Sequence, residues 1–271
     1  MTNRRRSIFR SADEDISRAD TFPETEQTRS PSYRLAFSDR AFLRSDAMRP
    51  VRLQLELQKT EMILLDEGIE STVVFFGGAR IPDPDHAETA RTAYLQSLSA
   101  FYGEARQLAR MVGEECLRRD GNELVVVSGG GPGVMEAANR GARDVGAPSI
   151  GLGIVLPHES APNSYVTPEL SFNFHYFAIR KMHFLMRARA ITVFPGGYGT
   201  LDELFEALTL IQTKRMDPIP VILFGSEFWK KIINWDALLD AGTIGEGDLD
   251  LFRFVDSADE GWAVLHEAGV V

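Results

Sequence analysis

The sequence predicts an α/β fold in which a mostly parallel β-sheet is flanked by helices on both faces. Short apolar runs rich in Val, Ile and Phe alternate along the chain with longer segments of helical periodicity. Continuous apolar runs are typical of parallel strands, because helices cover both faces of such a sheet. Glycine turns follow three of these runs, and turns at the carboxyl ends of parallel strands commonly line a ligand crevice. These observations favour a Rossmann-like arrangement with one crevice.

The spacing of the apolar residues places each element. Helical periodicity predicts helices at about 47–67, 86–119, 134–145, 176–187, 200–214, 227–239 and 258–268. Short apolar runs bounded by Gly or Pro and rich in β-branched or aromatic residues predict strands. The predicted strands are 72–76, 124–127, 149–155, 172–174, 190–194, 220–224 and 251–255.

The chain is predicted to hold one domain preceded by an extension. Residues 1–45 mix charged residues with Ser and Pro and show no sustained apolar period, so a flexible or docked N-terminal extension is expected. Residues 46–271 form the predicted single domain. The alternative for the extension is an arm that crosses onto a partner subunit. Its aromatic anchors would be Phe9, Tyr33, Phe37 and Phe42.

The composition narrows the classes of function. The chain has 29 basic and 39 acidic residues and a formal net charge of −10. This charge argues against binding of nucleic acid through a large electrostatic surface. Backbone amides can still hold an anionic small ligand. The chain shows neither a long apolar span nor a secretory signal, so no membrane partner and a cytoplasmic location are expected. The single cysteine, Cys116, and the spacing of His175 and His183 favour neither a disulfide framework nor a metal site.

The most informative stretch runs from Ala190 to Glu206. An apolar run is followed by Pro-Gly-Gly-Tyr-Gly-Thr at 195–200 and then by a helical pattern, which predicts a strand, a turn and a helix N-terminus. Glycines let backbone amides approach a ligand closely, and a helix N-terminus favours negative charge. The predicted phosphate cup consists of the amides of Gly196, Gly197 and Gly199 and the Thr200 hydroxyl.

Two further glycine turns end predicted strands, at residues 77–78 and 129–133. The second turn lacks the G-x-G-x-x-G spacing of dinucleotide-binding proteins, and no Gly-Lys-Ser/Thr follows it as in a P-loop. Gly78, Gly130 and Gly131 are the candidate ligand-binding residues of these turns. On their own, the glycines fit a plain tight turn as well as a ligand loop.

Glu203 follows Thr200 by three residues, and two interpretations fit this spacing. The carboxylate could lie beside the ligand of the phosphate cup and take part in chemistry. Alternatively, Thr200 and Glu203 could form a capping box, in which the carboxylate only closes the start of the helix. Asn163 and Glu159, in a proline-rich loop, are weaker candidates for contact with a substrate.

Residues 70–260 resemble the Lonely Guy (LOG) family of phosphoribohydrolases, once labelled lysine decarboxylases. The family hallmark is Pro-Gly-Gly-x-Gly-Thr followed by x-Glu-Glu, with an Arg-Lys pair on the preceding helix. Here the motif is Pro195–Glu203, with Asp202 in place of the first glutamate, and Arg180-Lys181 lies fifteen residues before Pro195. The resemblance extends to the turns at 76–80 and 129–135.

The resemblance implies hydrolysis of the N-glycosidic bond of a nucleoside 5′-monophosphate to free base and ribose 5-phosphate. AMP and cytokinin riboside 5′-monophosphate are the implied substrates, without a cofactor. Glu203 and Arg180 would be catalytic, and Lys181 would be a solvated or phosphate-side cation. Positive charge develops on the sugar in such reactions, and a nearby carboxylate stabilises it. The family forms dimers, so a homodimer or a higher homo-oligomer is expected.

Two other functions remain open at this point. One is a non-catalytic carrier that binds a nucleotide or molybdenum cofactor. The other is the older decarboxylase label, which requires pyridoxal phosphate on a lysine. The chain has five lysines, of which only Lys181 lies near the motif.

Overall fold

The computed structural model describes residues 8–157 and 161–271, so Glu159 lies outside the described residues. Two compact units are present, Met1–Leu57 and Gln58–Val271. The predicted boundary between extension and domain, at residues 45 and 46, stays a prediction. Across the described residues, no helix combines the length and apolar character needed to cross a membrane.

The first unit consists of short helices joined by turns. They are α1 (Ala12–Ala19), α2 (Glu26–Arg29) and α3 (Arg40–Arg44), followed by the start of α4 (Arg49–Asp66). Helix α4 agrees with the helix predicted at 47–67. The four aromatic residues proposed as arm anchors are all exposed, between 44% and 79%. Whether they contact a partner subunit stays a prediction.

The second unit is built on a seven-stranded sheet in the order β4-β3-β2-β1-β5-β6-β7. Its strands are β1 (Thr72–Phe76), β2 (Val125–Ser128), β3 (Ser149–Ile154), β4 (Ser171–Phe174), β5 (Ala188–Val193), β6 (Val221–Phe224) and β7 (Arg253–Val255). Every neighbouring pair in this sheet is parallel. The predicted α/β fold is therefore confirmed, and the sheet is wholly parallel rather than mostly parallel.

Helices flank this sheet, with α6 and α7 against β2 and α12 against β6. The helices of the second unit after α4 are α5 (Ala93–Ser97), α6 (Ala100–Arg118), α7 (Val134–Asp144), α8 (Phe177–Leu185), α9 (Tyr198–Gln212), α10 (Ser226–Ile232), α11 (Trp235–Asp240) and α12 (Ala258–Glu267). From β1 the strand order runs outward to β4, and the chain then returns to place β5 on the other side of β1. The carboxyl ends of β1 and β5 therefore flank the point where the strand order reverses, where ligands bind in open α/β sheets.

Two predicted helices are interrupted, and a side-chain cap lies at one break in each. The helix predicted at 86–119 is divided into a 3₁₀ segment, α5 and α6. Thr92 is extended and its side chain accepts from the Leu95 N–H to start α5, whereas no side chain caps the start of α6. The helix predicted at 227–239 is divided into α10 and α11. There the Asn234 side chain accepts from the Ala237 N–H. Such caps satisfy orphan amides and favour a new helix start.

A largely buried ion-pair cluster links α4 to the segment between α8 and β5. Arg187 donates from Nη1 and Nη2 to both carboxylate oxygens of Glu61, at 2.6 and 3.0 Å. The His183 ring on α8 lies 3.3 Å from Glu61 through Nδ1. The hydrogen bond from Arg187 holds the pKa of the Glu61 carboxyl below its usual range, against the opposing effect of burial.

Replacement of Glu61 by Gln should lower the free energy of unfolding by about 2 kcal/mol at pH 7, because it leaves Arg187 without its charged partner. Folding lowers the pKa of Glu61, so its contribution is present above the unfolded pKa and is lost as pH falls through the folded pKa. Urea unfolding at several pH values should therefore show the gap between wild type and Glu61→Gln narrowing below about pH 4.

The matched control is Glu267→Gln, which breaks the ion pair with Arg253. Both side chains of that pair are 62% exposed. This change should cost less than about 0.5 kcal/mol, because exposed ion pairs contribute little. Equal losses in the two variants would contradict a specific role for the Glu61 cluster.

Candidate active site

The three glycine turns predicted from the sequence meet at the carboxyl edge of the sheet. The Gly78 N–H, after β1, donates to the Pro195 carbonyl, after β5, at 2.9 Å. The Val134 N–H, at the start of α7, donates to the Gly78 carbonyl at 3.3 Å. A Cβ atom on Gly133 would lie 2.4 Å from that same carbonyl oxygen, so the backbones touch where no side chain fits. The ends of β1 and β5 and the start of α7 thus lie together at this edge of the sheet.

The loop between β5 and α9 is held from beneath by a buried aromatic stack. The Phe194 ring stacks on Phe224 at 4.2 Å and on Phe75 at 6.1 Å between centroids. Its N–H also donates to the Phe76 carbonyl at 2.8 Å. Phe194 is fully buried directly before Pro195, so the glycines that follow start from a fixed position.

Helix α9 begins two residues earlier than predicted. Its N-cap is Gly197, no side chain caps it, and Thr200 and Glu203 both lie inside the helix. The capping-box alternative for these two residues is therefore wrong. Among the described residues, the amides of Gly197, Tyr198, Gly199 and Thr200 have no acceptor. Unsatisfied amides at a helix N-terminus are suited to an anion.

Thr200 lies against the turn as the sequence analysis expected. A Cβ atom on Gly196 would meet the Thr200 Oγ1 atom at 2.1 Å, so the hydroxyl sits directly over the backbone of that glycine. Thr200 is buried, with 7% of its surface exposed. The hydroxyl and the free amides of α9 thus share one end of the helix.

Glu203 is the most unusual titratable group of the site. Its side chain is buried, and within the described part of the chain its Oε2 atom has no hydrogen-bond partner. Burial raises the pKa of the Glu203 carboxyl to about 7, against the opposing charges of Lys181 and Arg180. A carboxyl with this pKa exchanges a proton near neutral pH, which is typical of catalytic acids and bases.

Arg180, on α8, connects Glu203 with the second glycine turn. Its Nε atom donates to the Leu152 carbonyl on β3 at 2.7 Å, and its guanidinium lies 5.2 Å above the Phe184 ring. A Cβ atom on Gly129 would meet the Nη2 atom at 2.7 Å. Its positive charge partly offsets the rise in the Glu203 pKa that burial causes. The guanidinium is therefore held against β3, Phe184 and the loop after β2, close enough for its charge to act on Glu203.

Lys181 has partners other than the predicted phosphate. Its Nζ atom lies 2.9 Å from Asp202 Oδ2 and 3.0 Å from Glu206 Oε2, and its side chain is only 13% exposed. The expectation of a solvated cation is therefore wrong, while the alternative that Lys181 lies beside a bound phosphate stays a prediction. The ammonium joins α8 to α9 and is neutralised by two carboxylates.

A buried network of polar side chains fixes the loop at 129–133. Ser128 Oγ accepts from the Gly130 N–H at 3.0 Å and donates to Asn139 Oδ1 at 2.8 Å. Asn163 donates from Nδ2 to Asn139 Oδ1 at 2.9 Å and to the Gly131 carbonyl at 3.0 Å. The Asn163 N–H also donates to the Gly130 carbonyl at 2.7 Å. This loop is therefore shaped by the protein itself before any ligand is bound.

The network determines which backbone amides of the candidate glycines remain free to donate to a ligand. The amides of Gly78 and Gly130 already have acceptors inside the chain, so these residues contribute close backbone approach rather than donors. Among the described residues, the amide of Gly131 has no acceptor. The roles of Ser128 and Asn139 were not predicted from the sequence, and Asn163 was only a weak candidate for substrate contact. The available signal was a buried Asn on the apolar face of α7, beside Ala138 and Ala142.

Asn163→Ala should weaken both the fold and the site, because it leaves the Asn139 amide oxygen and the Gly131 carbonyl with fewer donors. We expect a loss of about 2 kcal/mol in the free energy of unfolding and weaker binding of a nucleoside monophosphate. Urea unfolding and calorimetric titration with AMP measure the two effects. Asn173→Ala, at an exposed position on β4, is the control and should change neither. Unchanged stability in Asn163→Ala would contradict the importance of this network.

The chain was compared with protein families and solved structures. The family model described as "Possible lysine decarboxylase", the LOG-family domain, matches residues 135–265, which contain Arg180 and Glu203. None of the curated proteins matches the chain.

Several solved structures share the fold at low identity. The structural-genomics target TM1055 has a TM-score of 0.49 and 19% identity, covering 73% of this chain and 99% of its own. The molybdenum cofactor binding protein from Rippkaea orientalis has a TM-score of 0.47 and 19% identity, covering 73% and 96%. The molybdenum cofactor carrier protein from Chlamydomonas reinhardtii has a TM-score of 0.48 and 17% identity, covering 74% and 99%. These are likenesses of fold alone, whereas the match to the LOG-family domain extends over residues 135–265.

Proposed function

We propose that this protein hydrolyses the N-glycosidic bond of nucleoside 5′-monophosphates, such as AMP or a cytokinin riboside 5′-monophosphate. The products are the free base and ribose 5-phosphate. The observation that carries the proposal is Glu203, a buried carboxylate whose Oε2 atom lacks a hydrogen bond within the described residues, one turn from free helix amides. The match to the LOG-family domain over residues 135–265 supports it.

The phosphate would bind at the N-terminus of α9. The amides of Gly196, Gly197 and Gly199 and the Thr200 hydroxyl supply donors there, and the Gly131 amide faces no acceptor among the described residues. Gly78 and Gly130 let the backbone come close without a side chain in the way. Binding of the non-reacting phosphate would fix the position of the ribose relative to Glu203. The binding energy of the phosphate would thus help to orient the reacting carbon.

The reaction breaks the C1′–N bond and forms a bond between C1′ and the oxygen of water. Positive charge develops on the ribose ring as the base leaves with the bonding electrons. The ionised Glu203 carboxylate would stabilise that charge and accept a proton from the attacking water. The departing base takes up one proton, so that the sum of the reaction is the addition of one water molecule and Glu203 returns to its ionised form when it releases its proton. Arg180 would orient Glu203 or contact the anionic oxygens of the nucleotide.

The family description also raises lysine decarboxylation, which needs an unprotonated lysine to form a Schiff base. Lys181, the one lysine near the motif, pairs with Asp202 and Glu206, and these partners raise the pKa of its ammonium against the effect of burial. A lysine held protonated in this way is a poor fit for pyridoxal phosphate chemistry. The ion pairs of Lys181 therefore favour hydrolysis over lysine decarboxylation.

Glu203→Gln tests the proposal because it removes the charge and keeps the shape. We expect release of ribose 5-phosphate from AMP to fall by at least about a hundredfold, with AMP binding retained. The measurement is a nucleotide panel assayed for ribose 5-phosphate, with Glu227→Gln, an exposed glutamate on α10, as the control. Tight nucleotide binding without turnover in the wild type would instead indicate the carrier function, and retained activity in Glu203→Gln would remove this residue from the mechanism.

The same variant should be more stable than the wild type at alkaline pH. Folding raises the pKa of Glu203 from 4.5 to about 7, so the ionised carboxylate destabilises the fold, and this penalty is complete only above about pH 7. Urea unfolding at pH 8 should show Glu203→Gln about 2 to 3 kcal/mol more stable, and the gain should vanish near pH 4. A loss of stability at pH 8 would contradict an unpaired, ionised carboxylate.

The pH dependence of turnover provides a further test. If the ionised form of Glu203 acts, kcat/KM for AMP should fall about tenfold per unit of pH below about pH 7 and level off above it. Ribose 5-phosphate release measured between pH 5 and pH 9 gives this profile. Activity that rises as the pH falls would assign the protonated carboxyl as the active form.

A further inference from the structure

We propose that Lys181 is a positioning residue, which binds Asp202 and Glu206 together and thereby holds Arg180 near Glu203, whose Oε2 atom has no hydrogen bond among the described residues. The inference rests on the proposed function, because it describes how the same site is assembled. It gives Lys181 a role different from phosphate binding.

The first observation is the geometry of the double ion pair. Asp202 and Glu206 are four residues apart on α9, so their side chains lie on one face of the helix. One ammonium on α8 reaches both, at 2.9 and 3.0 Å. The Lys181 side chain is 13% exposed, which limits screening by solvent. The Asp202 side chain is 59% exposed and the Glu206 side chain 33%, so the buried ammonium joins α8 to one exposed and one partly buried carboxylate of α9.

The second observation is that neighbouring residues of α8 are anchored to different elements. Arg180 donates to the Leu152 carbonyl on β3, while Lys181 binds α9. Consecutive side chains on a helix point about 100° apart, so these two anchors together fix the rotation of α8 about its own axis. A rotated α8 would carry the Arg180 guanidinium away from Glu203.

The third observation is the balance of charge around Glu203. Among the described residues, the charged groups that act on this carboxyl are Arg180 and Lys181 on α8 and Asp202 and Glu206 on α9. Lys181 forms ion pairs with both flanking carboxylates, although the contact with Glu206 Oε2 lacks hydrogen-bond geometry, and the Oε2 atom of Glu203 also has no hydrogen bond in the described part of the chain. Without this ammonium, the two carboxylates would act on Glu203 with Arg180 as the one opposing charge among the described residues.

Lys181→Met tests the inference through a pattern that simple structural damage does not produce. We expect kcat for AMP to fall about tenfold or more, KM to change less than about threefold, and the acid limb of the pH profile to move to higher pH. Lys181→Arg should keep most of the activity, because a guanidinium can bind both carboxylates. Glu206→Gln should move the acid limb to lower pH, because it removes a negative charge beside Glu203.

Lys59→Met, at an exposed position on α4, is the control lysine and should change nothing. A rise in KM with unchanged kcat in Lys181→Met would show that this lysine binds substrate and would overturn the inference. Loss of activity with an unmoved pH profile would also overturn it, since that pattern reports only a damaged fold.

A titration keeps this test separate from the proposed function. The Glu203 carboxyl can be followed by NMR in protein labelled with ¹³C at glutamate side chains, with Glu203→Gln for assignment. If the wild type hydrolyses no nucleotide, the proposed function fails, and the titration still decides the role of Lys181. A Glu203 midpoint that is the same in wild type and Lys181→Met would overturn the inference, while a higher midpoint in Lys181→Met supports it.

Discussion

The crevice depends on a contact between backbones that only glycine permits. A Cβ atom on Gly133 would lie 2.4 Å from the Gly78 carbonyl oxygen, and one on Gly78 would lie 3.0 Å from the Pro195 carbonyl oxygen. Neither oxygen belongs to a flexible side chain, so a larger residue would push apart the loops that follow β1 and β5. These strands flank the point where the strand order reverses, so the contact lies where ligands bind in open α/β sheets.

Polar side chains add a second constraint around this contact. Asn163 holds the carbonyls of both Gly130 and Gly131, and Ser128 holds the Gly130 amide. Because these groups are satisfied inside the protein, the loop needs no ligand to take its shape. The amides left without acceptors at α9 therefore face a preorganised site, and preorganised donors lose little entropy when an anion binds.

The fold and the approximate location of the site follow from the sequence because they depend on local patterns. Apolar runs fix the seven strands, and glycine turns mark their carboxyl ends. The breaks at Thr92 and Asn234 were not predicted, since a capping side chain competes with helical periodicity only once the tertiary structure allows a turn there. The partners of Lys181 and Asn163 are on other elements, so residue spacing alone does not identify them.

The two cations near Glu203 show why its free carboxylate indicates function. Buried carboxylates in a stable fold normally accept hydrogen bonds, and a pKa raised from 4.5 to about 7 costs about 3 kcal/mol when the group is ionised. Lys181 forms ion pairs with Asp202 and Glu206, which precede and follow Glu203 in the sequence, and the Arg180 Nε atom donates to the Leu152 carbonyl. A structural role for Glu203 would favour the opposite arrangement. The free-energy cost of burying an ionised Glu203 is explained if this carboxylate stabilises positive charge that develops on a bound ligand.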